Sequence, residues 1–135
     1  MENSSEQCKT VLVVDDEVHI VNVVALKFKS AGLRVLTASD PQEALAIALK
    51  ELPDLVITDH QMPEGSGVDL SKWLKSNEST ADTPVILLTA YDFSIAEDSL
   101  EECNIRSIMA KPFSPRELLA RALSITEVAA EQGGT

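Results

Sequence analysis

Short apolar runs recur along the chain, and each is followed by a segment whose apolar positions have helical spacing. The runs are rich in Val, Leu and Ile, which is typical of strands that are buried on both faces of a parallel sheet. The predicted strands are "TVLVV" (10–14), "RVLTA" (34–38), "DLVIT" (54–58), "PVILLT" (84–89) and "SIMA" (107–110).

The helical segments complete a repeating pattern of strand and helix. The first, 17–31, places Ile20, Val21, Val24, Phe28 and Ala31 on one face, and Gly32 provides a C-terminal cap. Two later helices begin with an acceptor side chain followed by proline, a typical start signal. The remaining predicted helices run from Pro41 to about Leu52, over 67–76, over 93–103, and from Pro115 to about Ala130.

Five successive strand–helix units predict an α/β fold with a doubly wound, five-stranded parallel sheet. Right-handed crossovers place helices on both faces of such a sheet. The flavodoxin-like arrangement has the strand order 2-1-3-4-5, although the pattern of elements alone leaves that order open. We expect one domain over residues 9–128, a flexible lead-in at 1–8 and a tail at 129–135.

Composition narrows the class of protein. The 135 residues suit one domain, and 22 acidic against 11 basic residues give a net charge of -11. Such a surface repels phosphate backbones, so we expect no direct nucleic-acid binding. Cys8 and Cys103 form no CxxC pair, and no apolar run reaches the roughly 20 residues of a membrane span. Without a signal-peptide pattern, these features predict a soluble cytoplasmic protein with thiols in a reducing compartment.

Polar side chains follow four of the five predicted strands. Asp15 and Asp16 follow the first, Asp59 follows the third, Thr89 ends the fourth and Lys111 follows the fifth. Parallel strands end at one edge of a sheet, so we expect these groups to converge. Three adjacent carboxylates are costly without a cation, and hard oxygen ligands suit Mg²⁺. With an ammonium and a hydroxyl beside them, they form a site that can receive a phosphoryl group on a carboxylate oxygen.

These groups lie in a set of motifs that resembles the receiver domain of two-component response regulators. The resemblance spans about residues 9–128, and its motifs are specific as an ordered set rather than singly. They are "VLVVDDE" with Asp15 and Asp16, "DLVITDHQMPEGSG" with Asp59, "PVILLTA" with Thr89, and "AKPF" with Lys111 and Pro112.

The resemblance implies a role for each matching position. Asp59 is implied as the phosphoacceptor, with Asp16, Asp59 and the Gln61 carbonyl as direct Mg²⁺ ligands and Asp15 acting through a metal-bound water. Lys111 is implied to pair with the phosphoryl oxygens. The backbone amides of His60, Gln61 and Ala90 are implied to assist it, while Thr89 moves toward the phosphate and a cis peptide precedes Pro112.

One position departs from the family pattern. Many receivers have Tyr or Phe three residues before the lysine, an aromatic that couples the phosphate to the output face, and this chain has Ile108 there. Phosphorylation is still expected, but its usual read-out through an aromatic side chain is not, and Tyr91, two residues after Thr89, is a candidate partial substitute. The helix 17–31 is also expected to expose Val23 and Leu26, an apolar patch that suits docking of a partner helix carrying phosphohistidine.

The function predicted from these residues is a phosphorylation switch rather than an enzyme. A histidine kinase or histidine phosphotransfer protein is the expected donor, and an effector protein or domain is the expected target. A docking-only degenerate receiver is the alternative. A phosphatase would need a second acid at position 61, which is Gln, and a flavin carrier would need a Ser/Thr-rich loop after the first strand. The few residues after the last helix hold no effector domain, so a stand-alone receiver and part of a longer regulator both stay open.

Overall fold

Five strands of the protein form one parallel sheet in the computed structural model, which describes residues 9–62, 65–89 and 104–134, with the side chains of the last helix described as far as Thr126. The strands are β1 (Thr10–Val14), β2 (Arg34–Ala38), β3 (Leu55–Asp59), β4 (Gln61–Met62), β5 (Gly65–Ser66), β6 (Val85–Thr89) and β7 (Ile105–Ala110). Five of them form the sheet in the order β2-β1-β3-β6-β7, and every neighbouring pair is parallel. This is the predicted order 2-1-3-4-5, with β4 and β5 set aside.

Three of the described helices connect strands of this sheet, and a fourth follows its last strand. They are α1 (Val18–Ser30), α2 (Pro41–Glu51), α3 (Gly67–Ser76) and α4 (Pro115–Gly134), with a 3₁₀ turn at Glu78–Thr80. In the described ranges no helix combines the length and apolar content that a membrane crossing needs. The predicted helix 93–103, together with Cys8, Ala90, Tyr91 and Cys103, lies outside the described residues.

Side-chain caps begin three of these helices, because the first N–H groups of a helix have no partner within it. The caps are Asp40 accepting from the Glu43 N–H (2.8 Å), Ser66 from the Asp69 N–H (3.0 Å) and Ser114 from the Glu117 N–H (3.4 Å). Helix α1 differs, because the side chain of its N-cap residue, Glu17, makes no capping hydrogen bond.

Alternate residues of the central strands supply two separate apolar cores, one on each face of the sheet. On one face, α1 and α4 pack Val24, Phe28, Leu118 and Ala122 against Val11, Val13, Leu55, Ile57, Ile86 and Leu88. On the other, α2 and α3 pack Ala44, Ala48, Leu70 and Leu74 against Leu12, Val14, Val56, Val85 and Leu87. Helices on both faces of the sheet confirm the doubly wound class.

Several predicted boundaries were wrong. Strand β7 begins at Ile105 rather than Ser107, and α4 continues past Ala130 to Gly134 through much of the predicted tail. Ala31 is exposed, because α1 ends at Ser30 and Ala31 is its C-cap. The segment predicted as a plain loop after β3 contains the short antiparallel hairpin β4–β5.

Gly67, the first residue of α3, is packed directly against the end of β3. A Cβ atom placed on it would lie 2.5 Å from the Asp59 carbonyl oxygen, 2.7 Å from Leu87 Cδ1 and 2.9 Å from Thr58 Cγ2. The Gly67 N–H also donates to the His60 carbonyl at 2.8 Å. The start of α3 is therefore fixed against the backbone of Asp59, and only glycine fits there.

Replacing Gly67 with alanine is expected to lower the free energy of unfolding by about 1–3 kcal/mol or more, the cost of overpacking a buried site. Helix propensity alone predicts the opposite sign, since alanine usually stabilises a helix relative to glycine. Urea unfolding of Gly67→Ala measures the change, with Lys72→Ala on the exposed side of α3 as a matched control expected within about 0.5 kcal/mol of wild type. Equal stability of Gly67→Ala and wild type would contradict the close approach.

Candidate functional site

The candidate site lies at the carboxyl edge of the sheet, where the winding reverses between β1 and β3. Ligands of doubly wound sheets bind at this point because the two crossovers leave in opposite directions and open a crevice. A cavity of about 360 Å³ lies there, lined by Asp16, Glu17, Asp59, His60, Gln61, Thr89 and Lys111. Each described residue that the sequence predicted at the strand ends is thus at the same edge of the sheet.

Lys111 is the centre of the charge network. Its Nζ lies 3.1 Å from Asp15 Oδ2, 3.2 Å from Asp59 Oδ1 and 3.3 Å from Glu17 Oε1. Burial lowers the pKa of Lys111, but the hydrogen bonds and charges of Asp15 and Asp59 outweigh that effect and hold the pKa above its ordinary value. The ammonium therefore stays charged and joins the end of β7 to the ends of β1 and β3.

Asp59 is the last residue of β3 and is nearly buried, with 11% of its side chain exposed. Burial, and after it the charge of Asp15, raise the pKa of the Asp59 carboxyl from 3.8 to about 6, against the opposing effects of Lys111 and the His60 amide. The His60 N–H is shared between the Leu88 carbonyl at 2.7 Å and Asp59 Oδ1 at 3.0 Å. The carboxylate is held in one orientation and is poorly solvated, which leaves it under electrostatic strain at neutral pH.

The three aspartates form a donor set that fits a divalent cation. Carboxylate oxygens of Asp15, Asp16 and Asp59 lie within 4.8 Å of one another; Asp15 and Asp59 are buried and Asp16 is exposed. Hard carboxylate oxygens, one of them open to water, are the donors with which Mg²⁺ binds while keeping several of its waters. The donor chemistry therefore matches the cation that the sequence predicted.

Thr89, Pro112 and Ile108 were also predicted to contribute to the site. Thr89 is buried at the end of β6, and its carbonyl accepts a hydrogen bond from the Lys111 N–H at 2.7 Å. The Lys111–Pro112 peptide bond is cis, in agreement with the geometry that the resemblance implies. Ile108 is partly buried and packs against the core on the α2–α3 face.

Val23 and Leu26 are exposed on α1, with 50% and 73% of their surface accessible. They line an open groove of about 690 Å³ with Lys27, Ser30, Ser114, Pro115 and Arg116. A second cleft, in which Val23 meets Lys111, Pro112 and Phe113, continues toward the charged pocket. The expected exposure of the two apolar residues is confirmed.

Glu17 is the one pocket residue for which the sequence predicted no role. It belongs to the motif "VLVVDDE", but the lysine that it contacts lies 94 positions further along the chain. The sequence offered one indication that Glu17 has another role: glutamate is a poor N-cap residue, and yet it stands where α1 begins.

In metal-free protein, Asp59→Asn is expected to stabilise the fold near neutral pH. The raised pKa does not affect stability below the unfolded pKa of 3.8, because the carboxyl is then protonated in both the folded and the unfolded state. As the pH rises from 3.8 to about 6, the unfolded state loses this proton first, so the folded state is progressively destabilised. The full difference corresponds to an upper limit of about 3 kcal/mol. The measurement is urea unfolding with chelator at about pH 4.5 and about pH 7.5, where the advantage of Asp59→Asn over wild type should grow with pH. An advantage that is independent of pH would contradict the strained carboxylate.

Known proteins resemble this chain in sequence over most of its length. The family model described as "Response regulator receiver domain" matches residues 11–123. The chain is 38% identical over 117 residues to the phosphate regulon transcriptional regulatory protein PhoB of Pseudomonas aeruginosa, covering 87% of this chain and 51% of that protein. It is also 38% identical over 125 residues to the alkaline phosphatase synthesis transcriptional regulatory protein PhoP of Bacillus subtilis, covering 90% of this chain and 51% of that protein. The chain thus spans about half the length of these curated relatives.

Solved structures agree with the sequence relatives. The chemotaxis protein CheY4 of Vibrio cholerae superposes with a TM-score of 0.81 at 31% identity, covering 87% of this chain and 98% of that chain. The BeF3-activated DrrB receiver domain superposes with a TM-score of 0.73 at 30% identity, covering 89% of this chain and 98% of that one. The family match, the relatives and the arrangement of acids, hydroxyl and lysine lead to one conclusion: this chain belongs to the response regulator receiver domain family of two-component signalling.

Proposed function

We propose that Asp59 accepts a phosphoryl group from the phosphohistidine of a histidine kinase or histidine phosphotransfer protein. The observation that carries this proposal is the position of Asp59 Oδ1, 3.2 Å from the Lys111 ammonium, in a cavity that also contains Asp16 and Thr89. A carboxylate oxygen facing a cation at the mouth of a crevice is placed to attack an incoming phosphorus atom.

The transfer exchanges one bond for another. A lone pair of an Asp59 carboxylate oxygen forms the new P–O bond while the P–N bond to the donor imidazole breaks, and its electron pair stays on the ring nitrogen. Negative charge develops on the equatorial phosphoryl oxygens, and the Lys111 ammonium stabilises it at close range. The backbone amides of His60, Gln61 and Ala90 are proposed as further donors to these oxygens, and hydrolysis of the acyl phosphate returns the free carboxylate slowly.

Mg²⁺ is the proposed cofactor. Asp16 and Asp59 would bind it directly with the Gln61 carbonyl, and Asp15 would act through a bound water. The exposed position of Asp16 and the buried position of Asp15 support this division, because a ligand at the open side leaves room for metal-bound waters. When bound, the metal supplies positive charge that offsets the phosphoryl oxygens.

The proposed switch is a shift between two conformers that the phosphoryl group binds unequally. Thr89 is proposed to move toward the phosphoryl oxygens, and the cis peptide before Pro112 to hold Lys111 in register. Ile108 is partly buried against the core on the α2–α3 face, but it brings neither a ring nor a hydroxyl. The read-out to an effector protein or domain is therefore proposed to depend on apolar repacking at Ile108.

The groove beside α1 is the proposed docking place of the donor. A partner helix lying on Val23 and Leu26 would bring its phosphohistidine along the neighbouring cleft to Lys111 and Asp59. The basic groups of Lys27 and Arg116 in the same groove favour a partner helix with acidic residues beside its apolar face.

Intact mass spectrometry tests the phosphoacceptor. Incubation with Mg²⁺ and acetyl phosphate, or with a phosphorylated histidine kinase, is expected to add one phosphoryl group to wild type and none to Asp59→Asn. Chelator should abolish the gain, because the charge on the phosphoryl oxygens then lacks the metal. No gain in mass from either donor would contradict this proposal and favour a degenerate receiver that only docks. The intact set of acids, hydroxyl and lysine disfavours that alternative.

A second experiment tests the docking groove. The double substitution of Val23 and Leu26 by serine is expected to slow transfer from a phosphorylated histidine kinase about tenfold or more, as for the loss of apolar interface anchors. Phosphorylation by acetyl phosphate should be unchanged, since no docking precedes it. Leu49→Ser replaces another exposed large apolar side chain, on α2 and away from the groove; it is the control and should transfer normally. An equal decrease in the phosphorylation rate with both donors would contradict the docking proposal.

A further inference from the structure

Glu17 stands at the start of α1, but its side chain does not cap the helix. It is the N-cap of α1 with extended backbone angles (φ -91°, ψ 107°), the geometry from which a short polar side chain caps the first turn. Its side chain makes no such bond, although the other three described helices begin with Asp or Ser caps. Its backbone does take part: its N–H donates to Asp15 Oδ1 at 2.9 Å, and its carbonyl accepts from the Ile20 and Val21 N–H groups.

The side chain of Glu17 turns toward Lys111 instead. Glu17 Oε1 lies 3.3 Å from Lys111 Nζ, at the open side of the pocket that contains Asp59. Lys111 thus has three carboxylate partners, and an ammonium group has three N–H donors. In the unmodified pocket every N–H of Lys111 can be matched to a carboxylate.

A phosphoryl group on Asp59 changes this balance, because its oxygens also need a donor from Lys111. One of the three existing partners must then give way. Asp15 is buried, with 1% of its side chain exposed, and Asp59 carries the new group, whereas 47% of the Glu17 side chain is exposed. Releasing Glu17 to water costs least, since exposed ion pairs are weak and a freed surface carboxylate is solvated again.

We propose that Glu17 is a positioning residue that acts through Lys111: it is the releasable third partner of the ammonium and competes with phosphoryl oxygens for it. This inference rests on the proposed function of Asp59. In the unmodified protein, Glu17 helps to hold Lys111 next to the Asp59 carboxylate. When the Glu17 side chain moves away, one N–H of Lys111 becomes available to the phosphoryl group. The competition weakens binding of a phosphoryl group and keeps the unmodified state populated.

Two substitutions separate this contact from the general repulsion between Glu17 and an anion. Glu17→Gln keeps the length of the side chain and removes its charge. Glu17→Asp keeps the charge but is one carbon shorter, so we expect it to lose the contact with Lys111, which is 3.3 Å in wild type. Glu78→Gln, an exposed site on the 3₁₀ turn, removes one negative charge elsewhere as the matched control. The backbone contacts of Glu17 remain in both variants.

The test is the dissociation constant of beryllofluoride, a mimic of the phosphoryl group, at saturating Mg²⁺, read from the bound fluorine signals by ¹⁹F NMR. Beryllofluoride binds without a chemical step, so the measurement reports the competition for Lys111 and not a transfer rate. We expect Glu17→Gln to bind about two- to fivefold more tightly than wild type, the range of an exposed ion pair. Glu17→Asp should lie closer to Glu17→Gln than to wild type, and Glu78→Gln should match wild type.

Each other outcome has a distinct meaning. Equal affinity in wild type and Glu17→Gln overturns the role of Glu17 while leaving Asp59 as the phosphoacceptor. Glu17→Asp equal to wild type, with Glu17→Gln tighter, assigns the effect to charge alone and also overturns the contact. No fluorine signal in wild type, together with no mass gain from a phosphodonor, overturns the proposed function and this inference with it.

Discussion

The contact of one ammonium with carboxylates from two strand ends organises the functional edge of this protein. Lys111 joins β7 to β1 through Asp15 and to β3 through Asp59. Four carboxylates, those of Asp15, Asp16, Glu17 and Asp59, face one ammonium, so the pocket keeps three uncompensated negative charges when all are ionised. Such a pocket is stable only because the apolar strands beneath it hold its walls in place, and it favours any added cation.

Much of this arrangement follows from elementary patterns in the sequence. Apolar strands ending in Asp15, Asp59, Thr89 and Lys111 must, in a parallel sheet, bring those residues to one edge. The order of strands in the sheet determines only which strand ends are neighbours, and it places the acids that follow β1 next to the acid at the end of β3. The exposure of Val23 and Leu26 was predictable from a different pattern, because helical spacing assigns them to the face opposite Val24 and Phe28.

The features that sequence patterns missed depend on tertiary context. Strand β7 is an edge strand of the described sheet, so Arg106 stands exposed next to the buried Ile105 and interrupts the apolar run that marks the inner strands. The hairpin β4–β5 has two residues in each strand, which is too short for any periodicity to show. The role of Glu17 depends on a partner 94 positions away, and no local pattern indicates which way an N-cap side chain turns.

The tight seat of Gly67 has a mechanical consequence for signalling. With no room for even a methyl group between α3 and the backbone of Asp59, these two elements behave as a single rigid block. Any displacement that begins at the Asp59 carboxylate is therefore not absorbed by sliding α3 along β3. On the other side of Asp59 the sheet continues through β6, which ends in Thr89, to β7, the last strand on that side among the described residues, which leads into Lys111. Asp59, the proposed phosphoacceptor, is thus packed against the start of α3 on one flank and faces the cavity on the other, which gives a chemical event at its carboxylate a direction in space.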